Sequence, residues 1–163
     1  MKLTVLQYSL LLADGRMMTR DQRNADFFAN GQKPIRVIGL QWQINDVIQN
    51  TVTKNYAPYS LYSEDLLPDR TGLIVTEPHE IAGAHCVVVY NADGNERFRL
   101  KPTIDPTRYP AYMHNAELVS FEGSRVHKGF AARFETSLMG GARILEFDQE
   151  TGEYTGQFVS IRD

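Results

Sequence analysis

Asp93-Gly94 stands between two strand-like segments, 85–91 and 96–101. An Asp-Gly pair so flanked is a strong local signal for a β-hairpin, because glycine takes up the positive φ that a tight turn demands. If Asp93-Gly94 is a two-residue loop, Tyr90 lies opposite Arg97, Val89 opposite Phe98, Val88 opposite Arg99 and Cys86 opposite Lys101. One face then gathers Val87, Val89, Phe98 and Leu100 as a core face. The other sets Tyr90, Val88 and Cys86 beside Arg97, Arg99 and Lys101, a half-wet face where basic stems cover apolar groups.

The rest of the chain reads as more hairpins around one helix. Residues 2–12 are an apolar run that ends at Ala13-Asp14-Gly15, a tight-turn signal, after which 16–18 return as a short strand. Thr19 and Gln22 have the spacing of a capping box, and Gly31 stands where a helix C-cap belongs. Residues 20–29 therefore read as a helix with Ala25, Phe28 and Ala29 on its apolar side. Pro34 blocks continuation, and 35–40 read as a strand. Over 41–70 two readings stay open. Trp42, Ile44 and Ile48 alternate as in a strand, while Val47, Ile48 and Val52 after Asn45 fit a short helix equally well; 56–62 and 67–70 then read as a long structured loop. Residues 73–76 are a strand. Residues 117–161 form a meander of four strands, turning at Glu122-Gly123-Ser124, Gly140-Gly141 and Thr151-Gly152, with Leu145 and Phe147 on the same face as Tyr154 and Phe158.

This pattern gives a mainly β fold: an antiparallel β-sandwich or barrel of about eight strands built from hairpins, with one or two short helices. A chain of 163 residues fits a single domain, 1–163, whose core needs no disulfide or metal. No run approaches the roughly 18 apolar residues of a membrane helix. Residues 3–13 have the length of a signal segment, but Gln7, Tyr8 and Ser9 interrupt them and no small-x-small cleavage site follows, so they read as a core strand. The one cysteine, Cys86, can form neither an intramolecular disulfide nor a thiolate zinc site, which favours a reducing compartment and a cytoplasmic location. A net charge of −3 argues against nucleic acid as a general partner.

The chemistry-bearing residues are scattered. Of the histidines His79, His85, His114 and His127, the first two lie in the tightest cluster, Glu77-Pro78-His79-Glu80 followed by His85. A loop His and Glu beside a strand His can make a facial metal set or an acid/base pair. The plainer reading of His85 is a hydrogen-bonded core histidine. No second ligand pair stands at a recurring metal spacing, so neither metal nor other cofactor is expected. Cys86 adjoins His85, yet neighbours on a strand point to opposite faces and cannot pair. Lys101 opposite Cys86 would lower its pKa, against the simpler role of a small buried hydrophobe. Gly-x-Ser-x-Gly, Walker and Rossmann patterns are all missing.

Two features suit recognition instead. Arg97, Arg99 and Lys101 share one strand face, and Arg125, His127 and Arg133 another. Side by side they would make a cationic patch for an acidic partner, tempered by Glu96 and Glu135. Five of the eight tyrosines fall in two Pro-containing segments, 56–62 and 109–112. Tyr56, Tyr59, Tyr62, Arg108, Tyr109, Tyr112 and His114 have the composition of recognition loops, although tyrosines also bury well against a sheet edge. The residues thus favour a non-enzymatic binding or accessory module that recognises a protein or other partner through Tyr-rich loops and a basic strand face. Two rivals stay open: a small metal-dependent or acid/base hydrolase-type enzyme using His79, Glu80 and His85, and a β-barrel that holds a small ligand.

Overall fold

The computed structural model describes residues 2–31, 35–46, 48, 50–83, 86–100, 117–122, 130–136 and 141–161. The first apolar run is β1 (Val5–Leu12), and the Asp14-Gly15 turn returns it as β2 (Met17–Met18). Helix α1 (Arg20–Asn30) begins at a full capping box: Thr19 accepts from the Gln22 amide, and the Gln22 side chain accepts from the Thr19 amide. It ends on Gly31 in the left-handed conformation. Then come β3 (Val37–Ile44) and β4 (Thr51–Asn55), which settle the ambiguous stretch in favour of strands over a helix. Inside the expected long loop lies a further strand, β5 (Ser63–Leu66). Next are β6 (Gly72–Glu77), the one-turn helix α2 (His79–Ala82), β7 (Cys86–Asn91) and β8 (Glu96–Arg99). The final meander is β9 (Glu117–Glu122), β10 (Phe130–Thr136), β11 (Gly141–Phe147) and β12 (Tyr154–Ile161). As expected, Leu145 pairs with Phe158 and Phe147 with Tyr154 across β11 and β12.

These twelve strands form three antiparallel sheets, ordered β2-β1-β3-β4, β5-β6-β7-β8 and β12-β11-β10-β9. The mainly β expectation holds, but three stacked layers replace the two sheets or single barrel. The reason lies in β6 and β7. Their sequences, Leu-Ile-Val-Thr and Cys-Val-Val-Val-Tyr, are apolar runs without a polar alternate, and such strands need cover on both faces. One face of the middle sheet (Leu73, Val75, Cys86, Val88, Tyr90) packs on Leu10, Leu40, Trp42 and Ile44 of the first. The other (Ile74, Val87, Val89) packs on Ala132, Phe134, Leu145 and Phe147 of the third. The expected half-wet face of Cys86, Val88 and Tyr90 is therefore core. The Trp42 indole is satisfied there by the Ala92 carbonyl, at 2.7 Å.

The Asp93-Gly94 hairpin exists with a corrected turn. Asn91 and Asn95 bond across it, so the loop is the three residues Ala92-Asp93-Gly94, with Gly94 at φ +92°. Val88 and Val89 face Arg99 and Phe98 as expected, but Tyr90 pairs with Glu96, and Arg97 is left in a bulge between them. The loop also packs against the first sheet. A Cβ on Gly94 would stand 2.6 Å from Val52 Cγ1.

Two further expectations fail. Strands β8 and β10 belong to different sheets, so the arginines of β8 and Arg133 do not form one strand-paired face. Helix α1 buries no apolar side: Ala25, Phe28 and Ala29 are all exposed. It is held instead by polar contacts at its start. Arg20 donates twice to Glu64 Oε1 of β5, at 2.6 and 2.9 Å, and Arg23 donates to the Ile35 carbonyl at 3.0 Å.

Candidate functional site

The chain leaves β4 at Asn55 and enters β5 at Ser63 through a segment tied to two sheets. The Tyr56 and Leu61 amides donate to the Ile38 and Val37 carbonyls of β3, each at 2.7 Å, and the Tyr62 amide donates to Thr76 of β6 at 3.2 Å. Arg36 donates to the Pro58 carbonyl and Ser60 Oγ from outside. The loop is thus fixed at several points, and it holds Tyr59 and Tyr62 exposed, the latter by 58%. Helix α1 returns toward Ile35 beside the same end of the first sheet. The helix carries Phe27 and Phe28, whose rings meet edge to face at 5.5 Å, with Phe28 81% exposed. Helix α2 follows β6 directly, and so brings exposed His79, Glu80 and Ile81 to this end too.

Beneath the loop runs a buried polar chain. Tyr56 and Tyr90 hydroxyls are 3.1 Å apart, and Tyr90 donates to Glu77 Oε2 at 2.9 Å. A phenol has a single hydrogen, so Tyr90, having given its own to the carboxylate, accepts from Tyr56. The other carboxylate oxygen, Oε1, takes Arg99 Nη1 at 2.5 Å, and Arg99 reaches the surface beside Glu96. Lys54 Nζ lies 4.6 Å from the centre of the Tyr90 ring, a cation–π contact from β4. Burial pushes the Tyr90 hydroxyl up to about 12; the neighbouring Glu77 charge adds to this and the Tyr56 hydrogen bond opposes it. Burial, then the bond to Tyr90, holds Tyr56 still further above the usual tyrosine value. Burial works against the Arg99 charge, but Glu77 and Glu96 more than offset it and its pKa is raised. Both phenols are therefore neutral at physiological pH. The chain transmits hydrogen bonds, not charge, and its effect is to anchor the start of the loop.

The sequence-derived candidates separate accordingly. Tyr56 is an anchor, while Tyr59 and Tyr62 present their rings outward. Arg97 is only 10% exposed, and its guanidinium is committed to Asn91 Oδ1, Thr71 and the Gln149 carbonyl of the third sheet's last turn. Arg99 is half-buried on Glu77. Arg97 and Arg99 are thus bonded largely within the fold. His79 and Glu80 lie on α2, and among the described residues no three His, Cys, Asp or Glu side chains gather as for a metal. Cys86 is buried. His85, Lys101, Arg108, Tyr109, Tyr112, His114, Arg125 and His127 lie outside the described residues. Sequence reasoning missed Glu77 and Tyr90 as partners, and Phe27 and Phe28 as exposed groups. The missed signal for the pair was a carboxylate and a phenol inside otherwise apolar runs, which burial obliges to bond.

No protein-family model matches the chain, and no curated protein matches it in sequence. Among solved structures, it is similar to a chain in the structure of Tne2 in complex with Tni2. The TM-score is 0.74 at 16% identity, and the alignment covers 97% of this chain and 99% of that one. At that identity the likeness is one of fold, and it extends over all three layers.

Proposed function

We propose that the chain is a protein-recognition module, and that it meets its partner with the end of the stack where the 56–62 loop, α1 and α2 converge. The observation that carries this reading is the loop itself: exposed Tyr59 and Tyr62 stand on backbone bonded to both the first and the middle sheet. A fixed loop loses little entropy on binding, and tyrosine supplies large contact area with few rotatable bonds. Phe28 on α1, 81% exposed and edge to face with Phe27, adds an aromatic group that a partner can cover. Supporting this is the shared fold with a chain from a complex of two proteins. Arg97 and Arg99 stand apart from this surface, because their guanidiniums are bonded within the fold.

The test is an affinity series against the partner recovered with the intact chain and then purified. Tyr59→Ala and Phe28→Ala should each weaken binding by about tenfold or more, the range of interface anchors, with unchanged circular dichroism. Full affinity in both variants would place the interface elsewhere.

A further inference from the structure

Strands β1, β3 and β4 contain one charged residue, Lys54, and it turns inward over Tyr90. Their outward positions form cross-strand rows: Gln7, Gln43 and Thr51 in one, Ser9, Gln41 and Thr53 in the next. A water-facing sheet in a chain with 23% charged residues would ordinarily carry some of them here. These two rows are instead neutral and made of amides and hydroxyls. The face is also concave, with a hollow of about 210 Å³ bordered by Gln7, Ser9, Met17, Gln41, Gln43 and Thr51.

The hydrogen-bonding capacity around that hollow is largely unspent. Gln41 gives one amide hydrogen to Thr53 Oγ1 at 3.2 Å. Among the described residues the side chains of Gln7, Ser9, Gln43 and Thr51 have no partner. Each free amide offers two donors and an acceptor, and each hydroxyl offers both roles, so the rim presents donors and acceptors in mixture. With no cation on these rows a phosphate or carboxylate has nothing to pair with, and with no anion a basic group has none either. The hollow falls below the roughly 300 Å³ at which drug-sized pockets begin, which suits a single small ring. Half-exposed Met17 gives one wall an apolar, adaptable surface. A neutral ring studded with hydroxyls and backed by C–H bonds matches all of these features.

We infer that the outward face of the first sheet binds a neutral saccharide, holding one sugar ring between the Gln7–Gln43 and Ser9–Gln41 rows. This surface is separate from the aromatic end, and either assignment can fail without the other.

The test is a ¹H–¹⁵N NMR titration of the whole chain with maltose, cellobiose and N,N′-diacetylchitobiose, each to about 10 mM, the weak end of specific binding. At least one sugar should move the side-chain amide signals of Gln7, Gln41 and Gln43 saturably. Gln41→Ala combined with Gln43→Ala, both at surface positions, should weaken that titration at least tenfold while leaving other backbone signals in place. Glucuronic acid, bearing a charge the face cannot meet, should bind more weakly. The inference is overturned by an absence of saturable shifts with all three sugars, by shifts that persist undiminished in the double variant, or by shifts confined to another surface. It is equally overturned if those amides respond only to a protein partner, which would make the face an extension of a protein interface.

Discussion

Replacing Tyr90 with phenylalanine removes one oxygen that does two jobs: it donates to Glu77 at 2.9 Å and stands 3.1 Å from Tyr56 as acceptor. Losing a hydrogen bond to a charged group costs about 1.5–3 kcal/mol, and orphaning the buried Tyr56 hydroxyl adds about 1 kcal/mol more. Glu77 keeps Arg99, so its charge is not stranded. The expected total is about 3 kcal/mol, equivalent to a melting temperature roughly 10 °C lower in a domain of this size. Tyr56→Phe should cost only about 1 kcal/mol, because it removes the last donor in the chain and leaves every other group bonded. The double variant should then be less destabilised than the sum by about 1 kcal/mol, since no orphaned hydroxyl remains. Urea titration reads all three, with the chain's one tryptophan, Trp42, as a buried fluorophore in the same core. Strict additivity, or a Tyr90→Phe cost no larger than that of Tyr56→Phe, would refute a connected chain.

Glu64 gives a test by pH. Burial raises its pKa above the ordinary 4.5 even though Arg20 pulls the other way, so the folded state holds that proton more tightly than the unfolded one. Its contribution is greatest below 4.5 and declines as pH rises through the raised value. Glu64→Gln should therefore gain stability relative to the parent as pH climbs from 4.5 toward neutrality, measured as the difference in urea midpoint; a flat or opposite trend contradicts it. Gly94→Ala combines a left-handed φ with a Cβ 2.6 Å from Val52, and should cost about 2 kcal/mol; Val52→Ala should recover only the steric part.

Local chemistry was the most legible layer of this chain. Thr19, Gln22 and Gly31 marked both ends of α1 because capping is decided within a few residues. The Asp14-Gly15, Asp93-Gly94 and Thr151-Gly152 turns announced their hairpins for the same reason. What failed required knowledge of the third dimension. The Arg97 register slipped because one more loop residue inverts the neighbouring side chain, and a bulge then restores the pairing beyond it. The apolar side of α1 predicted burial, but the helix has no described neighbour to bury it and rests on Arg20 and Arg23. Among the site residues, Tyr56, Tyr59 and Tyr62 were found together because they share a loop. Glu77 and Tyr90 were not paired, being 13 residues apart on facing strands. The middle sheet has its own signal in the sequence: Val87-Val88-Val89 is an apolar run, which calls for cover on both faces.

Each sheet is also an unbroken third of the chain, β1–β4, then β5–β8, then β9–β12. Synthesis consequently delivers the layers in order. Once β8 has emerged, the first sheet can already clothe one side of the middle one, but Ile74, Val87 and Val89 stay bare until the last meander arrives. For that interval the nascent chain carries a flat, β-branched apolar face, the kind that other chains and chaperones adhere to. The final sheet acts as a lid fitted last, and how quickly it closes sets the chain's exposure to aggregation.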